Sequence, residues 1–192
     1  VLYHVNPWDS NWVTGEKPQW IYAKLGNSNS GLALLSNPAM LEAWKRYVRE
    51  TVMHFRGKID HWEVLNEPYN QMFGGWSPED YLRLLGITEP IIREANPDAK
   101  ILAPCTYMVP KWIEPMLERG LLERLDIFSY HGYSLGPESL ATIHRWAQAD
   151  GKQRPVFDTE NSGESSCRFF RKSILGARYS GGVPARIAAG MV

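Results

Sequence analysis

Apolar positions along the chain follow two rhythms. After Asn37, residues Leu41, Trp44, Val48, Val52 and Phe55 recur at steps of three and four, the spacing that lines one stripe of an α-helix. Asn37-Pro38 supplies an N-cap with a first-turn proline, and Gly57 supplies a stop. A second helical segment opens at Ser77-Pro78-Glu79-Asp80, carries Tyr81, Leu84, Leu85, Thr88, Ile91, Ile92 and Ala95 on one stripe, and ends at Asn96-Pro97. Pro90 should kink it, and Gly86 four residues earlier eases the crowding of the ring against that turn. Further helices are predicted around 110–118 and 137–149, the latter closed by Gly151.

The other rhythm is that of short strands, at 1–5, 59–66, 100–104, 125–131 and 154–160. Helical segments separate the later four, which is the βαβ pattern of a parallel sheet and predicts an α/β architecture. Between the first strand and its helix runs a long segment from Trp8 to Ser36, holding Trp8, Trp12, Trp20 and the GNSNSG run at 26–31. Loops of that length inside compact domains are usually functional or disordered, and three tryptophans argue against disorder. Without internal repeats, low-complexity tracts or a linker, the chain reads as one domain over 1–192.

Composition narrows the classes of function. Lys plus Arg and Asp plus Glu stand at 21 each, so no net field gathers nucleic acid or an anionic membrane surface. No run reaches the roughly 18 apolar residues of a membrane helix. Cys105 and Cys167 are too few for a disulfide framework and too far apart for a local metal knuckle, and read as two thiols. The five histidines, at 4, 54, 61, 131 and 144, lack the close spacing of a zinc motif, and no nucleotide fingerprint occurs, so neither metal nor cofactor is expected. Eight tryptophans and nine tyrosines supply flat amphipathic rings that pack cores and also stack on sugars.

Two strands end in a carboxyl. The run 59–66 leads into Asn66-Glu67-Pro68, and RPVFDTE ends in Glu160. The carboxyl ends of parallel strands are where α/β barrels place reacting groups. An Asn-Glu-Pro tripeptide alone is only a turn, but two such glutamates can hydrolyse an acetal. One protonates the leaving oxygen while the other attacks the anomeric carbon, and a gap of about 5 Å between them favours retention. Between them, His131 and Tyr133 in LDIFSYHGY share strand parity and should point to one face. Each alone reads equally as a satisfied core residue. Together, at the mouth of a third strand, they become partners for a carboxylate. Asp158 shares parity with Glu160, as Glu63 does with Glu67, and buried structural ion pairs account for both.

The strings HWEVLNEPYN, DIFSYHGYS and RPVFDTENSG, in this order, resemble the fourth, sixth and seventh strands of glycoside hydrolase clan A, and YHVNPW at 3–8 resembles the third strand and its loop. The resemblance implies an incomplete (β/α)8 TIM barrel with about five of eight strands. Its closest tone is that of family 39, whose members act on xylosides, uronides or bacterial exopolysaccharides, with family five as a near neighbour. It implies Glu67 as acid/base, Glu160 as nucleophile, Asn66 as the residue bonding the sugar 2-hydroxyl, His131 as a site-lining imidazole, and Tyr133 as a donor to the nucleophile. Tyr3, His4, Asn6 and Trp8 become candidate sugar contacts. It also implies a carbohydrate substrate, and an extracellular or periplasmic setting.

For Asn66 and Glu67 both to line a site, the strand must break or bulge there, since alternation sends neighbours to opposite faces. The clan's first two strands, with an arginine supporting the nucleophile, and its eighth strand find no counterpart, and with no initial Met a fragment is expected. RGKIDHWEVLNEP also resembles the fourth strand of family ten, the endo-xylanases, although DTENSG lacks that family's acidic residue after the nucleophile. A cellulase-like clan member is a further alternative. Outside enzymes, the alternative is a carbohydrate-binding barrel without turnover.

Overall fold

A computed structural model of the chain describes residues 31–70, 75–133 and 135–161. The strand expected at 1–5, the aromatic segment as far as residue 30, and Cys167 lie outside the described residues. The chain divides into two compact units, Val1–Ile101 and Leu102–Val192.

In the first unit, helix α1 (Gly31–Ser36) leads into α2 (Pro38–Phe55), strand β1 (His61–Glu63), α3 (Pro78–Ala95) and the opening of β2 (Lys100–Thr106). The start of α2 is fixed as its sequence predicts: Asn37 Oδ1 accepts from the amides of Ala39 at 3.0 Å and Met40 at 3.2 Å, closing two donors that a helix start leaves open. Ser77 caps α3 in the same way through the Asp80 amide at 3.1 Å. All seven stripe residues of α3 are buried, and large aliphatic side chains in such a stripe each contribute about 1.5–3 kcal/mol relative to exposure. Helix α3 runs unbroken through Pro90.

Two sequence expectations shift here. Residues 31–36, read as the end of a loop, form α1, which packs on α2 and α3 through buried Leu34 and Leu35. The strand expected at 59–66 is regular only over His61–Glu63, because Leu65 and Glu67 adopt left-handed backbone angles that no pleated strand accepts. The Lys100 amide donates to the Asp60 carbonyl at 2.6 Å, which sets β1 beside the opening of β2.

The second unit continues β2 and adds α4 (Pro110–Leu117), a 3-10 turn at Leu121–Glu123, β3 (Ile127–His131), α5 (Pro137–Ala147) and β4 (Val156–Glu160). Strands β2, β3 and β4 pair in that order and all in parallel, the arrangement the βαβ pattern predicts. Both ladders lose register near their carboxyl ends. On β2 the pairing skips Cys105 between Pro104 and Thr106, and on β4 it skips Thr159 between Asp158 and Glu160. Cys105 carries a left-handed φ of 55°, and its amide donates to Ser129 Oγ at 3.1 Å instead of to the ladder.

Arg154 ties the base of this unit together. Its guanidinium, 6% exposed, donates to the carbonyls of Ala147 at 2.6 Å and Leu122 at 2.8 Å and to Asp150 at 2.9 Å. The hydrogen bond from Arg154 holds the Asp150 carboxyl down from 3.8 to about 2. A depressed carboxyl contributes stability that is complete above its unfolded value and is lost as pH falls through its folded one. The Asp150→Asn variant should therefore be about 0.2–1 kcal/mol less stable near neutral pH, the range of a partly exposed pair. Chemical denaturation should show that difference closing as pH falls from 3.8 through about 2. A difference independent of pH would refute the assignment.

A second prediction concerns the seam between α2 and α3. The Trp44 indole donates to Thr88 Oγ1 at 2.9 Å, and that hydroxyl donates onward to the Leu84 carbonyl at 2.8 Å, all of it buried. Thr88→Val keeps the shape and leaves the indole donor unpaired, so unfolding free energy should fall by about 1–3 kcal/mol. Thr88→Ser should restore most of it.

Candidate functional site

The candidate groups of the first unit follow directly on β1. Past Glu63 the chain makes a single bridge at Val64 and then turns: Leu65 has φ 65° and Glu67 φ 41°. The alternation of the strand is thus broken at the point that the adjacency of Asn66 and Glu67 requires. Asn66 is buried and Glu67 half-buried. A short turn holds the glutamate, with the Asn70 amide donating to the Glu67 carbonyl at 2.8 Å and Asn70 Nδ2 to Glu67 Oε2 at 3.3 Å. The Trp76 amide donates to the Pro68 carbonyl at 2.8 Å, closing the returning chain over the turn.

Glu63 does not form the ion pair expected of it. Its side chain is buried, Oε1 accepts no hydrogen bond, and no ionic partner lies beside it among the described residues. Parity does not align it with Glu67, because left-handed angles at Leu65 and at Glu67 itself break the alternation.

In the second unit, His131, Tyr133 and Glu160 come together. Register places His131 opposite Glu160 at the carboxyl ends of β3 and β4. The Tyr133 hydroxyl donates to Glu160 Oε1, and His131 Nδ1 stands 3.6 Å from Glu160 Oε2. The two rings meet edge to face, with centroids 6.2 Å apart. His131 is buried, whereas the Glu160 side chain is 43% exposed and open to a ligand. A carboxylate gripped at one oxygen and flanked at the other, yet reachable, can act as a nucleophile or hold a developing positive charge.

Three further groups bear on this cluster, of which the sequence aligned only Asp158 with Glu160. Cys105 Sγ lies 3.7 Å from His131 Nε2. Asp158 accepts the Gly132 amide at 2.9 Å on Oδ1 and Asn161 Nδ2 at 2.8 Å on Oδ2. Gly132 itself has no room for a side chain, since a β-carbon there would stand 2.1 Å from Asp158 Oδ2. The glycine between the two candidate residues in HGY was the available signal. His4, Asn6 and Trp8, with Tyr3, Trp12 and Trp20, lie outside the described residues.

Among the described residues no group of three or more His, Cys, Asp or Glu side chains is disposed to hold a metal ion, and no helix is long and apolar enough to cross a membrane.

Comparison with known proteins adds two findings. The sequence model described as glycosyl hydrolase family 10 matches residues 4–108, more than half of the chain. An endo-1,4-β-xylanase A of Thermotoga maritima is 34% identical over 92 residues, which is 45% of this chain and 8% of that protein. The corresponding xylanase of Thermotoga neapolitana is 30% identical over 92 residues, again 45% of this chain and 8% of that protein. By structure, the chain resembles a family 39 β-xylosidase from Caulobacter crescentus, with TM-score 0.53 and 21% identity over 64% of this chain and 30% of that one. A family 39 glycoside hydrolase from Bacteroides cellulosilyticus WH2 gives TM-score 0.51 and 21% identity over 66% and 31%. At that identity the likeness is one of fold: the strands and helices are those of part of a β/α barrel. The chain spans less than a tenth of the curated relatives and about a third of these structures.

Gly132→Ala tests the crowding at the strand ends. Forcing a methyl against the Asp158 carboxyl should cost about 1–3 kcal/mol of stability, the usual penalty of overpacking. Adding Asp158→Ala should recover part of that loss in denaturant titrations. Equal stability of Gly132→Ala and wild type would contradict the close approach.

Proposed function

Since the chain belongs to glycosyl hydrolase family 10, we propose that residues 1–192 form a single partial barrel domain of a retaining glycoside hydrolase, with Glu67 as acid/base and Glu160 as nucleophile. The observation that carries the reading is the Tyr133–His131–Glu160 cluster at the ends of two parallel strands. It supports a reachable, oriented carboxylate in the role of nucleophile. The matched family segment contains Glu67, held in its turn by Asn70. Glu67 protonates the leaving oxygen as Glu160 attacks the anomeric carbon, and then activates the water that releases the sugar. Asn66, His131, Tyr133, His4, Asn6 and Trp8 are assigned to sugar contacts.

The substrate we propose is a β-linked xylan or xylo-oligosaccharide. The curated relatives are named as endo-1,4-β-xylanases and a structural relative as a β-xylosidase, so xylose is the sugar common to both. The sequence likeness favours cleavage within a chain over removal of terminal sugars.

In the full-length protein, Glu160→Ala should abolish turnover on every glycoside. Glu67→Ala should lose about 10²–10⁴-fold on substrates with poor leaving groups, the usual worth of general acid catalysis. It should still react with dinitrophenyl xylosides, and added azide should speed its slow second step. The first product, followed by NMR, should keep the substrate's anomeric configuration. An inverted first product, or turnover surviving Glu160→Ala, would overturn these roles. Binding of xylan by a folded protein without any hydrolysis would favour the non-catalytic barrel.

A further inference from the structure

We infer that Asp158 is a positioning residue for Glu160, acting through the Gly132 amide and the Tyr133 hydroxyl. The inference rests on the proposed role of Glu160. Gly132 stands between the two residues that meet this glutamate, so the placement of its peptide sets where Tyr133 begins. Its amide is shared by two acceptors on β4, Asp158 Oδ1 at 2.9 Å and the Glu160 carbonyl at 3.0 Å. The ladder alone does not fix that joint, because the pairing slips by one residue at Thr159. The Asp158 side-chain oxygen supplies the second hold.

The carboxylate is itself held. Asn161 Nδ2 donates to its other oxygen at 2.8 Å, and the carboxyl fills the space where a side chain at position 132 would stand. Asp158 and Glu160 thus grip the same short segment just past β3, one through its backbone and the other through the Tyr133 hydroxyl. Displacing the Gly132 peptide would swing the Tyr133 ring and release Glu160 Oε1.

The test is a double-mutant cycle in the full-length enzyme, read as kcat and KM on an aryl β-xyloside. Asp158→Ala should lower kcat by about 10–100-fold, the scale of a misplacement near 1 Å at a reacting group. KM should stay within about threefold, because the loss falls on the chemical step. Asp158→Asn keeps an oxygen acceptor toward Gly132, and the exposed Asn161 amide can turn its oxygen to the new Nδ2, so activity should remain within about threefold of wild type, since the geometry rather than the charge is what orients the reacting group. In a Tyr133→Phe background the connection is already cut, so Asp158→Ala should add less than about twofold, a strongly non-additive cycle. Multiplying losses, or an Asn variant as impaired as the Ala variant, would overturn the inference. The Asn arm reads the idea even where the Ala variant does not fold. Turnover surviving Glu160→Ala would instead reject the functional reading, whereas an inactive Glu160→Ala with multiplying losses rejects the positioning role alone.

Discussion

A strand in strict alternation offers only every second side chain to one face, and a site that needs neighbouring residues must break that rule. The described strand ends do so by different means. Beyond β1, left-handed angles at Leu65 and Glu67 turn the backbone twice within three residues. On β2 and β4 an extra residue, Cys105 and Thr159, slips out of the ladder. Each irregularity sits at the carboxyl end of its strand, where parallel sheets collect their functional groups. The regular parts of the strands can then be given over to the core: Leu102, Ala103, Ile127 and Phe128 are all buried.

Such breaks persist because other bonds replace the lost ladder. The Ser129 hydroxyl takes the Cys105 amide, Asn70 takes the Glu67 carboxyl and carbonyl, and Asp158 takes the Gly132 amide. Buried backbone donors left without partners would cost about as much as a lost hydrogen bond each. The side chains that close them are therefore as much part of the architecture as the groups they surround. Glu63 contrasts with these, being a buried carboxyl on the regular part of β1 with an oxygen that accepts no hydrogen bond among the described residues.

The helices were legible because their signals are local. Asn37 and Ser77 cap by reaching backbone amides two or three residues away, and the α3 stripe buries every residue its period selects. The cores of the later strands were legible for the same reason. The bulge at Cys105 was not, since the hydroxyl that stabilises it lies 24 residues away on another strand. Nor was α1, which is only six residues long and leans on α2 and α3. For Asp158, parity joined it to the region of Glu160, but one of its partners is a backbone amide just past β3, which periodicity cannot see.

The two proposed reacting carboxyls draw support from different sources. The family match ends at residue 108 and so includes Glu67 but not Glu160. For Glu67, the support is the sequence of its turn and the family to which that segment belongs. For Glu160 it is the strand-end position in RPVFDTENSG together with contacts: a tyrosine hydroxyl on one oxygen and an imidazole beside the other, on a side chain that stays partly exposed. The fold likeness to family 39 structures spans about two thirds of the chain, while the sequence likeness is to family 10. These agree physically, because barrels sharing strand order and carboxyl-end geometry can place equivalent groups while the rest of the sequence diverges. Hydrogen bonds that must form across strand ends constrain a few residues tightly. The packing beneath them requires little more than apolar side chains of suitable volume.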